Sequence, residues 1–594
     1  MNQQPAKEVI DPVQRARIWY ALLLVIFGIF VLRVFYLQVI RYTYYKRAAL
    51  SDQLKQYSIP AGRGLITAHL GDGTVPIVLN QELYTLYADP VDIKHPAQTA
   101  AKLQPIIGGS ISNIQQELQT SGTQYVVLKQ KLTSDQSNKI LSYQLPGVGT
   151  EGQDYRTYPQ GDLASQVLGF VNNAGQGEYG VEQAMNSQLS GTAGELKAVT
   201  DINGVPLAAT SNNILTAPVN GDTVGLTINV GMQAQVEKII QSAYKTNKSK
   251  DVSAIVMNVN TGQIEAMANY PSYDPSNYSN VSNPDLFEND TVTNPIEPGS
   301  ITKLFTTAAA LTKGAITPTS SFYDPGSWRI DGATVSDAAI DHSQGQESVL
   351  DILDKSLNTG ATWMLMQIGG GQINPVARQT LYDYFSNHFM LGKATGIQQG
   401  NGEESSGYLP SPNDNGSGIN LTWANVSFGQ AYTATALQMV TGISSILNGG
   451  TYYAPTLIDQ VTSPGGKVTK VQPNAIEKNV VPKQVSQDII SLMEQNNARH
   501  INEGYPYLNF GPNYIVGGKT GTAQIAMPQG GYYPNLFNGT YLGFIGGNTP
   551  QYAIVVYNIE PTNYASFAGA DTGQPVFANI AHMLVNDFGV TPKS

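Results

Sequence analysis

Residues 297–303 read Glu-Pro-Gly-Ser-Ile-Thr-Lys. Pro298 and Gly299 break the preceding loop, and Ser300 then opens a run of helix formers and apolar residues that extends to residue 311. A proline and a glycine just ahead of a hydroxyl residue are typical of a helix N-terminus. The sequence therefore predicts a helix that begins at Ser300.

Ser300 and Lys303 place a hydroxyl and an amine on one face of that helix, about one turn apart. A serine hydroxyl is a weak nucleophile and needs a base within hydrogen-bond reach. An amine is a base only when neutral, and burial beside a second cation, here Lys519, lowers the pKa of a lysine. The helix N-terminus adds unpaired N–H groups for a developing oxyanion. Ser300 is therefore predicted to be the nucleophile and Lys303 its base.

Two further motifs follow the first in order along the chain. One is a hydroxyl followed by an amide, and the other is a cationic run with two hydroxyls: Ser356-Leu357-Asn358 and Lys519-Thr520-Gly521-Thr522. Together with Ser300 and Lys303, they supply the side chains needed for serine acyl transfer without a histidine or an aspartate. The order of the three motifs carries the prediction, because each motif is weak by itself.

The chain also contains copies of these motifs outside that order. A second S-x-x-K runs from Ser242 to Lys245, whereas K-T-G occurs once in the sequence. S-x-N recurs at residues 211–213 and 411–413. Ser242 lies late in an amphipathic stretch with no glycine or proline ahead of it, which predicts an exposed helical serine.

Composition limits the classes of function. The 594 residues predict two or more domains. A net charge of −11 without a basic stripe excludes nucleic acid as a partner. The absence of cysteine excludes disulfides and thiolate-bound metals, and the six histidines show no H-x-x-x-H spacing. We therefore expect no metal, and the acyl-transfer chemistry needs no cofactor.

An apolar segment near the N-terminus predicts a membrane anchor. Residues 18–32 carry no charge, and residues 34–40 continue the segment after Arg33, whose long side chain can reach the interface. As a helix, residues 18–40 rise about 34 Å, enough for a hydrocarbon core of about 30 Å. No small-x-small pair follows closely, so an uncleaved anchor is favoured over a cleaved signal peptide. Flanking charges do not settle its orientation.

The remaining sequence divides near residue 218. Residues 41–218 contain short β-type runs, turns and helical patches without catalytic spacing. After that point, a long helical section is predicted from 302 to about 447, and a terminal helix at 576–587. Strands are predicted on either side of the helical section, at residues 252–258, 264–268, 515–525, 539–545 and 552–559. This arrangement predicts a mixed α/β domain whose sheet brings the two ends of the domain together.

From about residue 15 to 583 the chain resembles class B penicillin-binding proteins, with the division-type branch favoured. The motifs that carry the resemblance include Arg63-Gly64, Arg156-Thr157-Tyr158-Pro159, Gly180-Val181-Glu182, Phe428-Gly429-Gln430 and the three motifs of Ser300, Ser356 and Lys519. The chain departs from the family pattern at one place. The family usually continues its arginine-glycine turn with an Asp-Arg-Asn-Gly type sequence, whereas residues 67–73 of this chain read T-A-H-L-G-D-G.

The resemblance implies an α+β multidomain fold with a single N-terminal transmembrane helix. Residues 1–17 form a short cytoplasmic tail, 18–40 the anchor and 41–218 an elongated β-rich pedestal of the dimerisation type. Residues 219–594 form the transpeptidase domain, which resembles serine β-lactamases and has a central antiparallel sheet. The oxyanion hole of the family corresponds to the backbone N–H groups of Ser300 and Thr522.

Each remaining site residue has an expected role. Ser356 relays a proton to the departing D-alanine amine, and Asn358 hydrogen-bonds the donor peptide. Lys519 supplies positive charge, and the hydroxyls of Thr520 and Thr522 hold the terminal carboxylate. Gly521 is expected to let the substrate approach the strand closely.

The implied activity is a peptidoglycan D,D-transpeptidase that cross-links stem peptides ending in D-Ala-D-Ala and is a target of β-lactams. The expected location is the cytoplasmic membrane with the catalytic domain outside, and the expected partners are a multi-spanning membrane glycosyltransferase and other division proteins. Alternatives are a lateral-wall transpeptidase, a D,D-carboxypeptidase or β-lactamase, and a β-lactam sensor or scaffold. A bifunctional class A enzyme is disfavoured, because residues 41–218 show no glutamate-bearing glycosyltransferase pattern.

Overall fold

The computed structural model describes residues 12–46, 54–199, 214–337, 344–400, 404–414 and 416–594. The second S-x-N copy at 211–213 and the first part of the predicted cytoplasmic tail lie outside these ranges. Contacts divide the chain into two compact units. One unit is drawn from Met1–Ala61 and Thr192–Val219, and the other from Gly62–Gly191 and Asn220–Ser594. The predicted division near residue 218 remains a prediction.

The strands are numbered in chain order as β1 Leu54–Ile59, β2 Ile66–Leu70, β3 Gly73–Ala88, β4 Val126–Leu132, β5 Val148–Thr157, β6 Phe170–Val171, β7 Gly177–Glu178, β8 Gly194–Val199, β9 Ile214–Thr216, β10 Thr223–Asn229, β11 Asp251–Asn258, β12 Ile264–Tyr270, β13 Ser321–Asp324, β14 Ser327–Ile330, β15 Ala333–Ser336, β16 Gly345–Ser348, β17 Thr451–Tyr453, β18 Ile458–Thr462, β19 Val468–Lys470, β20 Ala475–Lys478, β21 Ile515–Ala526, β22 Tyr532–Gly546 and β23 Pro550–Ile559.

The α-helices are α1 Pro12–Phe35, α2 Pro96–Ile107, α3 Ile111–Glu117, α4 Ser134–Ser142, α5 Ser165–Leu168, α6 Gly180–Ala184, α7 Asn186–Leu189, α8 Val230–Asn247, α9 Asp290–Thr293, α10 Lys303–Thr312, α11 Val349–Asp354, α12 Asn358–Ile368, α13 Pro375–Asp383, α14 Ile419–Phe428, α15 Ala436–Leu447, α16 Lys483–Asn502 and α17 Gln574–Asp587. Short 3-10 or π turns lie at Tyr36–Ile40, Pro275–Asn280, Pro284–Phe287, Gly299–Thr302, Tyr384–His388, Pro506–Leu508 and Gly569–Gly573.

The first unit contains the predicted membrane segment. Helix α1 and the π turn that follows it form one continuous helical stretch, Pro12–Ile40. Among the described residues it is the one helix long and apolar enough to cross a bilayer, and none of its most apolar window is buried. These properties fit a single-pass membrane anchor. The same unit contains the antiparallel sheet β1-β8-β9.

A five-stranded antiparallel sheet forms the centre of the second unit, in the order β12-β11-β23-β22-β21. Strand β11 pairs with β23, so that Ile255 lies opposite Val555 although the two are far apart in the sequence. The predicted mixed α/β fold with a central antiparallel sheet is confirmed. β21, which carries Lys519-Thr520-Gly521, lies at one edge of this sheet.

Helices cover both faces of the sheet. Successive side chains of a strand point to opposite faces, and in β11 Val252 and Ala254 pack with α8 and α17, whereas Ile255 and Met257 pack with α10 and α15. Every residue of α10 from Lys303 to Leu311 is buried. A helix that is apolar and buried all round belongs to the interior of a large domain. The helix that follows Ser300 is therefore rigidly held by the core.

A seven-stranded sheet contains strands from both halves of the sequence. Its order is β19-β18-β10-β2-β3-β4, and β5 also pairs with β3. Strand β10 pairs in parallel with β2 and antiparallel with β18. The T-A-H-L-G-D-G stretch forms most of β2 and the turn into β3. The two halves therefore share backbone hydrogen bonds, a pairing that the sequence analysis did not predict.

The N-terminal motifs of the resemblance meet at one buried carboxylate. Glu182 has no exposed surface, and its Oε2 accepts a hydrogen bond of 2.8 Å from Arg63 Nε. Its Oε1 accepts one of 2.9 Å from Arg156 Nε. A buried carboxylate with two arginine partners avoids the penalty of an unpaired buried charge. The three motifs therefore fix one another in space.

Candidate active site

The Ser300 segment differs in one respect from the predicted helix. Gly299–Thr302 forms a single 3-10 turn, and the α-helix itself begins at Lys303. Ser300 makes no capping hydrogen bond, so the predicted helix start at Ser300 is wrong by one turn. Side chains three residues apart still align in a 3-10 turn. The shared face of Ser300 and Lys303 is therefore kept although the helix type differs.

Lys303 lies at the centre of a hydrogen-bonded cluster. Its side chain has no exposed surface. Nζ lies 2.8 Å from Ser300 Oγ and 2.9 Å from Asn358 Oδ1. It also lies 2.5 Å from the carbonyl oxygen of Ser356 and 3.2 Å from Ser356 Oγ. One buried amine thus contacts all three polar side chains predicted from the first two motifs.

Backbone conformation directs Ser356 toward this amine. Ser356 lies between the end of α11 and the start of α12, with a left-handed φ of +59°. A non-glycine residue in this conformation is strained, and such residues cluster at functional sites. The next residue, Leu357, is fully buried and anchors the turn in the core. The Ser356 carbonyl and hydroxyl can therefore both face Lys303.

The K-T-G strand forms the opposite wall. Lys519 is 1% exposed, and its Nζ donates to the backbone oxygen and to the Oγ1 of Thr520 at 3.1 and 3.2 Å. Thr520 and Thr522 alternate with Gly521 along β21, and both threonines line the cleft. Thr522 Oγ1 accepts a hydrogen bond of 3.0 Å from Gly569 N. Two hydroxyls with one lysine behind them therefore face the open side of the strand.

Glycines bring the backbone segments behind the cleft into contact. A Cβ at Gly521 would collide with Thr540 Oγ1 and would lie 2.7 Å from Pro298 O. The backbone at Gly521 therefore packs closely against the turn that carries Ser300, and the expected close approach of substrate to this strand stays a prediction. Gly429 has a φ of +102°, and a Cβ there would collide with the carbonyl oxygen of Gly299. These contacts fix the position of the turn that carries Ser300.

An open cleft of about 990 Å³ brings the predicted residues together. Ser300, Ser356, Asn358, Thr520 and Thr522 line it. Lys303 and Lys519 lie buried behind its surface. The volume suits a peptide segment, because ligand clefts measure roughly 300 to 1,000 Å³. Seven of the eight residues predicted from the sequence therefore line one cleft or lie buried behind it. The eighth, Gly521, lies between the two threonines on β21.

Asp337 and a second wall of the cleft, lined by Asp354, His500 and Glu503, were not predicted from the sequence. His500 is buried, accepts a hydrogen bond of 3.0 Å from Gln574 Nε2, and burial followed by the charge of Lys519 lowers its pKa to about 4. Ligand atoms of Asp354, His500 and Glu503 lie within 4.8 Å of one another, a spacing that could hold a metal ion. Two nearby cations, Arg499 at 2.8 Å from Asp354 and Lys519, oppose a divalent ion there. The sequence spacing of Asp354, His500 and Glu503 matches no metal-binding motif.

Comparison with protein families decides the class of this chain. The model of the penicillin-binding protein transpeptidase domain matches residues 252–582, and that of the penicillin-binding protein dimerisation domain matches residues 58–226. The chain belongs to the penicillin-binding protein transpeptidases. Its relatives over most of its length are class B penicillin-binding proteins, and it is a serine-type peptidoglycan D,D-transpeptidase.

Individual relatives cover nearly the whole transpeptidase. It is 30% identical to the penicillin-binding protein PbpB of Mycobacterium tuberculosis, over 96% of this chain and 85% of the relative. It is 26% identical to the peptidoglycan D,D-transpeptidase FtsI of Escherichia coli, over 95% and 90%. The crystal structure of penicillin-binding protein 3 from Mycobacterium tuberculosis complexed with aztreonam superposes with a TM-score of 0.67. That match has 26% identity and covers 91% of this chain and 98% of the other.

Proposed function

We propose that this transpeptidase cross-links stem peptides at the division septum through an acyl-enzyme on Ser300. The observation that carries the proposal is the buried Lys303 amine, 2.8 Å from Ser300 Oγ and surrounded by the second motif. The donor is a stem peptide that ends in D-Ala-D-Ala, and the acceptor is an amine of a neighbouring strand.

The hydrogen bonds around Lys303 favour a neutral amine as the base. The Ser356 carbonyl and Asn358 Oδ1 are acceptors only, and they take the two N–H groups of a neutral amine. Its lone pair then points to the Ser300 hydroxyl. Burial of the amine disfavours the ammonium form. Ser300 Oγ attacks the carbonyl carbon of the penultimate D-alanine and transfers its proton to Lys303 Nζ.

The K-T-G strand stabilises the charges of the donor and of the intermediate. The backbone N–H groups of Ser300 and Thr522 form the oxyanion hole, and a Cβ on Gly299 would lie 3.2 Å from Thr522 N, so the two segments are in contact. Thr520 and Thr522 hydroxyls bind the terminal carboxylate, with the positive charge of Lys519 behind them. These groups orient the scissile bond over Ser300.

Ser356 completes the proton path. Its Oγ lies 3.2 Å from Lys303 Nζ and passes the proton to the nitrogen of the departing D-alanine as the C–N bond breaks. An acceptor amine then attacks the carbonyl carbon of the Ser300 ester. A new C–N bond forms, the bond between that carbon and Ser300 Oγ breaks, and the amine proton returns through the same groups to Ser300 Oγ. Asn358 holds the donor backbone during both steps. The chemistry uses no group beyond these residues and the two peptides.

The proposed location follows from the anchor and the substrate. Residues 18–40 anchor the chain, residues 1–17 stay in the cytoplasm, and the pedestal (41–218) and transpeptidase domain (219–594) lie outside. A multi-spanning glycosyltransferase of the division machinery supplies the glycan strands. The solved structure of penicillin-binding protein 3 from Mycobacterium tuberculosis complexed with aztreonam supports β-lactams as ligands of this chain.

Depletion of the protein in its host is expected to give long cells without septa, because elongation continues while septal cross-linking stops. Wild-type protein should restore division, whereas a Ser300→Ala variant at equal abundance should not. Microscopy with a fluorescent wall label measures both outcomes. Rounded cells with normal septa would instead assign the enzyme to the lateral wall.

A further inference from the structure

The loop between β23 and α17 forms a further wall of the cleft, called here the loop wall. Its cleft-lining residues are Tyr564, Ser566, Phe567, Ala568 and Ala570. The loop wall borders the K-T-G strand, because Gly569 N donates a hydrogen bond of 3.0 Å to Thr522 Oγ1. A Cβ at Gly539, which lies opposite Thr522, would be 2.5 Å from the carbonyl oxygen of Ala568. The loop wall is therefore adjacent to the hydroxyls proposed to bind the donor carboxylate.

Both ends of this loop are fixed by backbone contacts. At its start, the N–H groups of Thr562 and Asn563 each donate a hydrogen bond of 3.0 Å to the carbonyl oxygen of Asn247, the last residue of helix α8. At its end, Gly569–Gly573 forms a π turn that leads into α17. Single π turns next to helices are frequent at functional sites. The part between these ends, residues 564–568, still needs a contact to hold one conformation, because ordering a loop costs conformational entropy.

Asp571, within the π turn, supplies that contact through one carboxylate oxygen. Its Oδ2 accepts hydrogen bonds from the backbone N–H groups of Ala565 at 2.9 Å and of Ser566 at 2.5 Å. It accepts a third, of 3.1 Å, from Ser566 Oγ. The N–H of Asp571 donates in turn to the carbonyl oxygen of Phe567 at 2.9 Å. Hydrogen bonds to a charged acceptor are the stronger kind, so Asp571 closes the loop into a turn.

The loop wall stands where a donor peptide needs a surface beyond its scissile bond. The cleft continues past Thr522 along the same two strands, because Gln524 and Phe537 lie opposite each other and both line it. A donor whose carboxylate is bound at Thr522 must place its preceding residues in this part of the cleft. The rings of Tyr564 and Phe567 offer large apolar contact areas there.

We propose that Asp571 is a positioning and specificity-determining residue that holds the loop wall against the part of the donor preceding the scissile bond. The inference rests on the proposed function in taking an acyl donor as the occupant of the cleft. Asp571 itself does not line the cleft. It acts through Tyr564 and Phe567, so its loss should weaken the binding of donors that carry a side chain at this place. The chemistry at Ser300 should be unchanged.

Two penicillins separate these effects. Benzylpenicillin carries an aromatic acyl side chain, whereas 6-aminopenicillanic acid has the same nucleus and carboxylate without it. With the full chain in detergent, the acylated fraction is followed by intact mass over time and concentration, which gives a dissociation constant and a maximal acylation rate constant for each compound. Asp571→Ala should raise the dissociation constant of benzylpenicillin about 10-fold, the size of effect that one apolar contact has in an enzyme pocket. The other three constants should stay nearly unchanged.

Two further variants test whether Asp571 acts through the loop wall. Asp571→Asn keeps an oxygen acceptor at the same place and should retain most of the affinity for benzylpenicillin. Phe567→Ala should reproduce the loss seen in Asp571→Ala. The double variant should lose less than the product of the two single losses, because both changes remove the same contact with the ligand.

Glu404→Ala is the matched control. The carboxylate of Glu404 also accepts hydrogen bonds from two successive backbone N–H groups, those of Thr395 at 2.6 Å and of Gly396 at 2.8 Å. None of these three residues lines the cleft. Glu404→Ala should therefore bind and react with both penicillins as the wild type does, whatever its loss of stability.

The inference is overturned if folded Asp571→Ala binds benzylpenicillin as the wild type does, or if it loses equal affinity for both penicillins. It is also overturned if Asp571→Asn binds as weakly as Asp571→Ala, or if Glu404→Ala shows the same selective loss. If Asp571→Ala does not fold, unchanged affinity of Phe567→Ala for benzylpenicillin overturns it, and a loss confined to that compound supports it. A wild-type chain acylated by neither penicillin would overturn the proposed function itself, together with the inference.

Discussion

Replacing Lys303 with alanine is expected to slow acylation of Ser300 by about 10²- to 10⁴-fold, the contribution of a general base. Lys303 Nζ lies 2.8 Å from Ser300 Oγ, within reach to accept the proton of that hydroxyl. Stopped-flow acylation with a chromogenic β-lactam measures the rate constant, and circular dichroism checks that the variant is folded.

Lys245→Ala is the matched control for this variant. Lys245 ends the second S-x-x-K of the chain, on the exposed part of helix α8 beside the exposed Ser242. Its loss should leave acylation unchanged, because neither residue lines the cleft. Acylation of folded Lys303→Ala at the wild-type rate would remove Lys303 from the mechanism.

Replacing Gly429 with alanine is expected to lower the free energy of unfolding by about 2 to 6 kcal/mol and to slow acylation strongly. The backbone φ of +102° disfavours a side chain, at about 1–3 kcal/mol. The added Cβ would also collide with the Gly299 carbonyl, and overpacking costs about 1–3 kcal/mol more. Relief of this collision moves the turn that carries Ser300. Urea denaturation and acylation kinetics measure the two effects.

Gly418→Ala provides the comparison. Gly418 precedes the same helix, α14, that Gly429 follows, and its φ is +90°, but no atom lies within 4 Å of an added Cβ. Only the backbone cost of about 1–2 kcal/mol remains, and acylation should stay normal. Equal losses of stability and activity in the two variants would show that contact with the Ser300 turn is unimportant.

The chemical groups of the site could be predicted because their identity and order are encoded locally. The spacing of Ser300 and Lys303 places them on one face in either a 3-10 turn or an α-helix. The error in helix type therefore left the predicted proximity of the two side chains unchanged. Strand β21 was predicted at residues 515–525 and spans Ile515–Ala526. The five-stranded sheet followed from strands at both ends of the domain.

Long-range contacts could not be predicted in the same way. Asp337 reaches Asn358 from a separate hairpin, and β10 pairs with β2 across the two halves of the chain. Neither contact is visible as a periodicity or a motif in the sequence. In each of them at least one partner is a backbone group, which every residue carries. The packing of Gly521 against Pro298 is likewise a contact between segments far apart in the sequence.

Ser300 is expected to be the residue that becomes acylated. Incubation with labelled penicillin, followed by intact-mass measurement and peptide mapping, identifies the acylated residue. One adduct per chain is expected, on the peptide that contains Ser300. An adduct on the peptide that contains Ser242, or a folded chain with no adduct, would contradict it.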